Sequence, residues 1–199
     1  MGLHIVEGSP FWQFVSERNR GRQFDFIHTS AIIANAGAGL EIDHEFICSL
    51  NLYATHFISP QPGRYRRHYN VTVQAHAPSD WSVVFEEMEN FLLVLHQEWV
   101  SWDPIQAAAY ALWGVNHVHP FCDGNGRTSR ALCYFVLCRK LNDWPRGSIT
   151  IMELIRTREH GHYCEILQRM HDARTPDMHT NIEEMTSFLN GLLLEQIRS

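Results

Sequence analysis

Between His119 and Arg130 the chain reads H-P-F-C-D-G-N-G-R-T-S-R, and these residue types can do chemistry together. His119 is the one group here that titrates near neutrality, so it is the candidate general base. Asp123 is a hard oxygen donor. It suits Mg²⁺, which binds through one or two carboxylates plus phosphate oxygens. Gly124, Asn125 and Gly126 form a glycine-rich turn ahead of helical sequence. Such a turn directs free backbone N–H groups and the positive end of a helix dipole at one point, and that point suits a phosphate. Arg127 and Arg130 are three apart and share a helix face, where they can fork onto further phosphate oxygens. The stretch reads as a phosphate-centred active site with its own base.

Three known patterns fail on it. A P-loop needs a lysine after its glycines, and none follows here. An EF-hand with Asn125 at position five and Gly126 at six puts Phe121 at position one and Leu132 at twelve, where carboxylates are required. A dinucleotide-binding turn needs a preceding strand and G-x-G-x-x-G; here the preceding sequence is helical and the spacing differs. His117-x-His119 is a weak metal pair, since two residues so spaced on a helix do not share a face.

The stretch resembles the Fic family signature, H-x-F-x-(D/E)-G-N-G-R-x-x-R. His119, Phe121, Asp123, Gly124, Asn125, Gly126, Arg127 and Arg130 match every fixed position. The resemblance implies a helical fold that transfers AMP from ATP to a hydroxyl on a target protein. It implies that His119 deprotonates that hydroxyl and that Phe121 anchors the loop. Asp123 would hold Mg²⁺ (or Mn²⁺), Gly124, Asn125 and Gly126 would form the anion hole, and Arg127 and Arg130 would hold the β- and γ-phosphates. Pro62, Gly63, Tyr65, Arg66 and Val71 resemble the family's target-docking flap, which takes up a target segment by strand addition. Tyr163 and Leu167 resemble a Tyr-x-x-x-Leu pattern that borders the adenine. Cys164 and His171 depart from it, where many members have tyrosine and asparagine, and this leaves the choice of nucleotide open.

Family members often carry an inhibitory helix, (S/T)-x-x-x-E-(G/N), whose glutamate pairs with the second arginine. Ser30 and Asn35 match its ends, with Ala34 in the glutamate's place. This implies an N-terminal inhibitory segment, about 24–36, that is relieved of inhibition. Two alternatives to AMP transfer stand beside it. One is the same fold with another donor (UMP, phosphocholine or a phosphoryl group). The other is a non-catalytic nucleotide-binding module, which would have no need of His119.

The elements that must position these residues are expected to be helices. The chain has 199 residues and 45% apolar residues, enough for one domain with a real core. A net charge of −6 argues against a nucleic-acid or anionic membrane partner. The expected partners are ATP and a hydroxyl-bearing protein, itself included, with a homo-oligomer left open. Cys48, Cys122, Cys133, Cys138 and Cys164 are scattered without C-x-x-C, which favours a reducing cytoplasm. The first residues lack a signal peptide or myristoylation pattern, and no apolar run is long enough to span a bilayer.

In chain order, Ser9-Pro10 opens a helix in which Phe11, Trp12, Phe14 and Val15 are expected to face inward. A break is expected at Asn19-Arg20-Gly21, then a second helix from about Phe24 to Asn35 and a third from Asp43. Residues 60–76 read as a flap hairpin, with Tyr69–Val73 rich in strand formers. Helices resume near Asp80, after Asp103-Pro104, and along the apolar run Ala131–Leu141. Another carries Tyr163 to Met170, and the last opens on a Thr180-x-x-Glu183 capping box. The expectation is an all-α single domain over 1–199, with seven or eight helices and one hairpin.

Overall fold

Capping side chains set where several helices start. Ser9 accepts the Trp12 N–H at 3.1 Å, and Asp43 accepts that of Phe46 at 2.8 Å. Asp103 caps Ile105 and Gln106 while the Gln106 amide oxygen accepts the Asp103 N–H at 2.9 Å, a reciprocal box with Pro104 at the first helical position. The computed structural model describes residues 6–37, 39–72 and 77–199. Its helices are α1 (Pro10–Asn35), α2 (His44–Thr55), α3 (Val84–Gln97), α4 (Pro104–Val118), α5 (Asn125–Leu141), α6 (Ile151–Thr157), α7 (His160–Asp172) and α8 (Glu183–Arg198). The fold is all-α. None of the described helices is long and apolar enough to cross a membrane.

Two helices form the centre. Every residue of α4 from Ala107 to Val118 is buried, as is every residue of α5 from Ala131 to Cys138. A helix that is apolar all round must be covered all round. The two pack on each other, α1 and α2 cover α5, and α3 and α8 cover α4. One hydrophobic cluster draws side chains from all eight helices.

Four local expectations are corrected. Asn19-Arg20-Gly21 does not break the first helix, which runs unbroken through Gly21. Asn19 is fully buried and donates to the His56 carbonyl at 2.7 Å, and Gln23 donates to that of Leu50 at 2.8 Å. These anchors onto α2 override the low local propensity. Phe11 and Phe14 are exposed, because the inward stripe of α1 is Ser16, Asn19, Gln23, Ile27, Ser30 and Ala31. The last helix starts after Ile182, and Asn181 rather than Thr180 accepts its first N–H, that of Glu183, at 2.9 Å. Thr180 instead donates to the Met170 carbonyl at 2.6 Å, which takes its hydroxyl away from the helix start. The described residues of the expected hairpin, 60–72, form no strand, because Arg66 draws that segment against the end of α4; Val73 lies outside the described residues.

Small residues on α4 let its neighbours approach closely. A Cβ added at Gly114 would lie 2.2 Å from the ring of Phe91 on α3, which is itself fully buried. Gly114→Ala is therefore expected to destabilise the fold by about 1–3 kcal/mol through overpacking, read as a lower urea midpoint with an unchanged slope.

Candidate active site

The loop from His119 to Gly124 joins two buried helices, so its peptide groups need protein partners. Asn125 closes it: Oδ1 accepts the Phe121 N–H at 2.9 Å and Nδ2 donates to the Phe121 carbonyl at 2.8 Å. The fully buried Phe121 ring meets Tyr65 edge-on at 5.2 Å. Gly124 caps α5 with φ of 80°, and a Cβ there would lie 2.4 Å from Thr55 of α2, so only glycine fits. No side chain caps α5, whose first N–H groups lack partners within the helix.

His119 ends α4 in the left-handed conformation, φ 54°. For a residue other than glycine this costs of order 1–3 kcal/mol and persists only where the surroundings fix it. Arg66 helps to do so. It is buried, and its Nε donates to the His119 carbonyl at 2.9 Å while its own N–H donates to that of Pro120 at 2.8 Å. Its remaining nitrogens reach Val118, Asn70 and Ser79. Burial lowers its pKa from the usual arginine value, with Asp80 the largest opposing influence. The positive charge lies at the C-terminal, negative end of α4. The imidazole Nδ1 of His119 lies 3.4 Å from the Asn116 carbonyl, which can only accept; this favours the tautomer with the proton on Nδ1.

Asp123, Arg127 and Arg130 share one cavity of about 360 Å³. Arg127 Nη2 donates to both Asp123 oxygens, at 2.9 and 3.0 Å, and its Nη1 donates to the Ala54 carbonyl at 2.8 Å. Arg130 is half-buried and lies over Gly126, where an added Cβ would be 3.3 Å from Nη1. Among the described residues it makes no hydrogen bond or ion pair. Burial lowers its pKa; Tyr163 opposes this, and the charges of Arg127, Arg156 and Arg20 reinforce it. His119 is half-buried at the other end of the loop and does not line this cavity.

Other expected site residues fall elsewhere. Tyr163 lies in the core as part of α7's inward stripe. Its phenol accepts from Asn116 at 2.8 Å, and burial raises its pKa. Gly63 and Tyr65 line a separate cavity of about 630 Å³, with His44 bridging Tyr65 and Glu89 at 3.0 and 2.7 Å. Val71 is half-buried beside the undescribed part of the flap. Ser30 is buried, Ala34 packs on the core and Asn35 is half-buried; none of the three lines the cavity. The wall of α1 facing Arg130 includes Ser16, Arg20 and Gln23 instead. Ala34 is seven residues beyond Ile27, the last residue of α1 to line the cavity, about 10 Å farther along the helix. The inhibitory pattern fits Ser16–Gly21 equally well, with Arg20 in the glutamate's place. That match was readable in the sequence, but the expected helix break at Asn19-Arg20-Gly21 hid it.

Asn51 left no mark in the sequence, yet it joins three parts of the site. It is buried on α2, and its Nδ2 donates to the Asp123 carbonyl at 2.9 Å and to Thr128 at 3.2 Å. Its Oδ1 accepts the Gly63 N–H at 2.9 Å. Asn51→Ala takes this partner from the Asp123 carbonyl and the Gly63 N–H, at about 1–3 kcal/mol each where they stay dry, while Thr128 keeps its bond to the Gly124 carbonyl. The expected result is a lower melting temperature and faster amide exchange at Gly63, with the helical circular-dichroism signal retained.

Comparison with known proteins places this geometry in a family. Residues 41–137, from α2 into α5, match the model of the Fic/DOC family. The chain is 36% identical over 103 residues to "Protein adenylyltransferase Fic" of Drosophila persimilis, covering 50% of this chain and 20% of that protein. The protein of the same name in Drosophila virilis is 35% identical over 103 residues, with 50% and 21% covered. The chain thus spans about a fifth of the length of these curated relatives. Among solved structures, a Fic domain containing signaling protein from Bacteroides thetaiotaomicron superposes with a TM-score of 0.76 at 17% identity, covering 98% of this chain and 74% of that one. Fic-1 from C. elegans superposes with a TM-score of 0.70 at 20% identity, covering 98% and 52%. The eight helices of the described residues, the fully matched loop motif and the family model agree: the chain is a Fic-domain protein of the Fic/DOC family.

Proposed function

We propose that this chain transfers AMP from ATP to a hydroxyl side chain of a protein, with itself as one candidate acceptor. The observation that carries the reading is Arg130. It is a half-buried guanidinium without a partner among the described residues, beside Gly126 and in one cavity with Asp123 and Arg127. A desolvated cation at the start of a helix calls for an anion, and a phosphate chain supplies several oxygens at that spacing.

Asp123 fits Mg²⁺ or Mn²⁺. Its carboxylate is part-exposed at the cavity, and no group of three metal-ligating side chains stands among the described residues. That arrangement suits an ion that takes most of its ligands from phosphate and water. Bound at Asp123, the ion would neutralise phosphate charge and polarise the bond to be broken. Asp123 would then exchange part of its pairing with Arg127, leaving that guanidinium for phosphate oxygens.

His119, protonated on Nδ1, takes the proton of the acceptor hydroxyl on Nε2. The freed oxygen attacks the α-phosphorus, the bond to the bridging oxygen of the β-phosphate breaks, and pyrophosphate leaves. The first N–H groups of α5, with Arg127 and Arg130, hold the negative charge as it shifts toward the leaving group. Arg66 keeps the base in place through the His119 carbonyl. Residues 64–70, outside any helix, supply the segment on which the acceptor docks by strand pairing. Homologues named adenylyltransferase support AMP as the transferred group. The five free thiols support a reducing compartment.

Incubation with α-labelled and γ-labelled ATP tests the reading. Label is expected on protein from the α-labelled form alone, and none in EDTA. His119→Ala should lower the rate about 10² to 10⁴-fold, the usual worth of a positioned base, with ATP binding nearly unchanged. Label from the γ-position alone would mean phosphoryl transfer, and undiminished transfer by His119→Ala would remove the base.

A further inference from the structure

We propose that α1 is part of the substrate site, with Arg20 acting beside Arg130 and Arg156 as a receptor for the terminal phosphate of a nucleoside triphosphate. This rests on the function proposed above and deepens it. Four of the chain's 16 basic residues, Arg20, Arg127, Arg130 and Arg156, line one cavity, although the chain carries a net charge of −6. They come from α1, α5 and α6, so no single helix face accounts for the cluster. The three elements pack on one another through α5, which holds the cations together before any ligand arrives.

Their present partners are easily exchanged. Arg20 pairs with Glu17 at 2.6 Å, one turn away on the same helix, and the glutamate is 67% exposed. Arg156 pairs with Glu153, also one turn away and part-exposed. Pairs of this kind are weak and screened by salt. Arg130 has no partner among the described residues to give up. An anion that bridges guanidinium groups from different helices relieves their mutual repulsion and replaces these surface pairs with charge-assisted bonds in a more enclosed place. A terminal phosphate, with three free oxygens, can meet two such groups at once. The proximity also appears in Arg130, whose pKa is lowered by burial and further by Arg127, Arg156 and Arg20. A glutamate at position 20 would compete with phosphate for Arg130; arginine there adds a second attraction. The consequence is specificity for tri- over diphosphates, set from a helix that lies outside the catalytic motif.

Calorimetric titration with Mg²⁺-ATP and Mg²⁺-ADP tests this on the full chain and on Arg20→Ala, Arg20→Lys, Arg20→Glu, Arg130→Ala and Ala34→Glu. Loss of one charge-assisted contact is expected to weaken ATP binding by Arg20→Ala about tenfold while ADP binding stays within about twofold. Arg20→Lys should recover part of the loss, Arg20→Glu should lose more than Arg20→Ala, and Ala34→Glu should bind both ligands like the unaltered chain. Unchanged ATP binding by Arg20→Ala together with a loss by Arg130→Ala would overturn the role of α1 and leave the proposed function standing. ATP binding unchanged in both variants, or absent from the unaltered chain, would overturn the two together.

Discussion

A polar loop held between two buried helices is the constraint on which this molecule depends. α4 from Ala107 to Val118 and α5 from Ala131 to Cys138 are covered on every side, so the turn joining the two helices cannot satisfy its peptide groups from water alone. Protein side chains satisfy them instead. Asn125 takes both peptide groups of Phe121, Asn51 takes the Asp123 carbonyl, and Arg66 takes that of His119. Each bond completes the interior and at the same time fixes a functional group. A turn held by this many bonds suits the positioned base and anion site proposed above.

Charge is distributed on the same logic. Arg127 is paired with Asp123, Arg156 with Glu153 and Arg20 with Glu17, while Arg130 stands over the first turn of α5 without a partner among the described residues. The cavity thus keeps its cations in place without ligand and offers one of them uncompensated. The long helix α1 closes the cavity from outside the matched family segment. Its inward stripe is largely polar and serves as a set of hydrogen-bond anchors onto α2 rather than as an apolar seam.

That stripe explains what the sequence could and could not disclose. The loop motif was fully legible, because its chemistry depends on residue identity at fixed spacing. The all-α class was legible from apolar periodicity and from caps such as Asp103. The run of α1 through Gly21 was not, since its buried face is Asn19, Gln23 and Ser30, and hydrophobic patterning assigns such residues to the surface. The false break then drew attention to Ser30, Ala34 and Asn35, none of which lines the cavity that holds Arg130. Arg66 was noticed for the flap, but its bonds to the end of α4 depend on tertiary approach and leave no local trace. Asn51 and Arg156 were missed for the same reason. Tyr163 was expected at the nucleotide and stands in the core, because a tyrosine on an inward stripe reads the same either way.

The central claim is that the α5 turn with Asp123, Arg127 and Arg130 seats the phosphates of ATP within reach of His119. A crystal structure of the chain with Mg²⁺ and a non-hydrolysable ATP analogue tests it most directly. The account predicts phosphate oxygens on the backbone N–H groups of residues 125–127, a metal on the Asp123 carboxylate, and the Arg130 guanidinium on the phosphate chain. A nucleotide seated instead in the flap-side cavity lined by His44 and Tyr65, with Arg130 still unpaired, would contradict it.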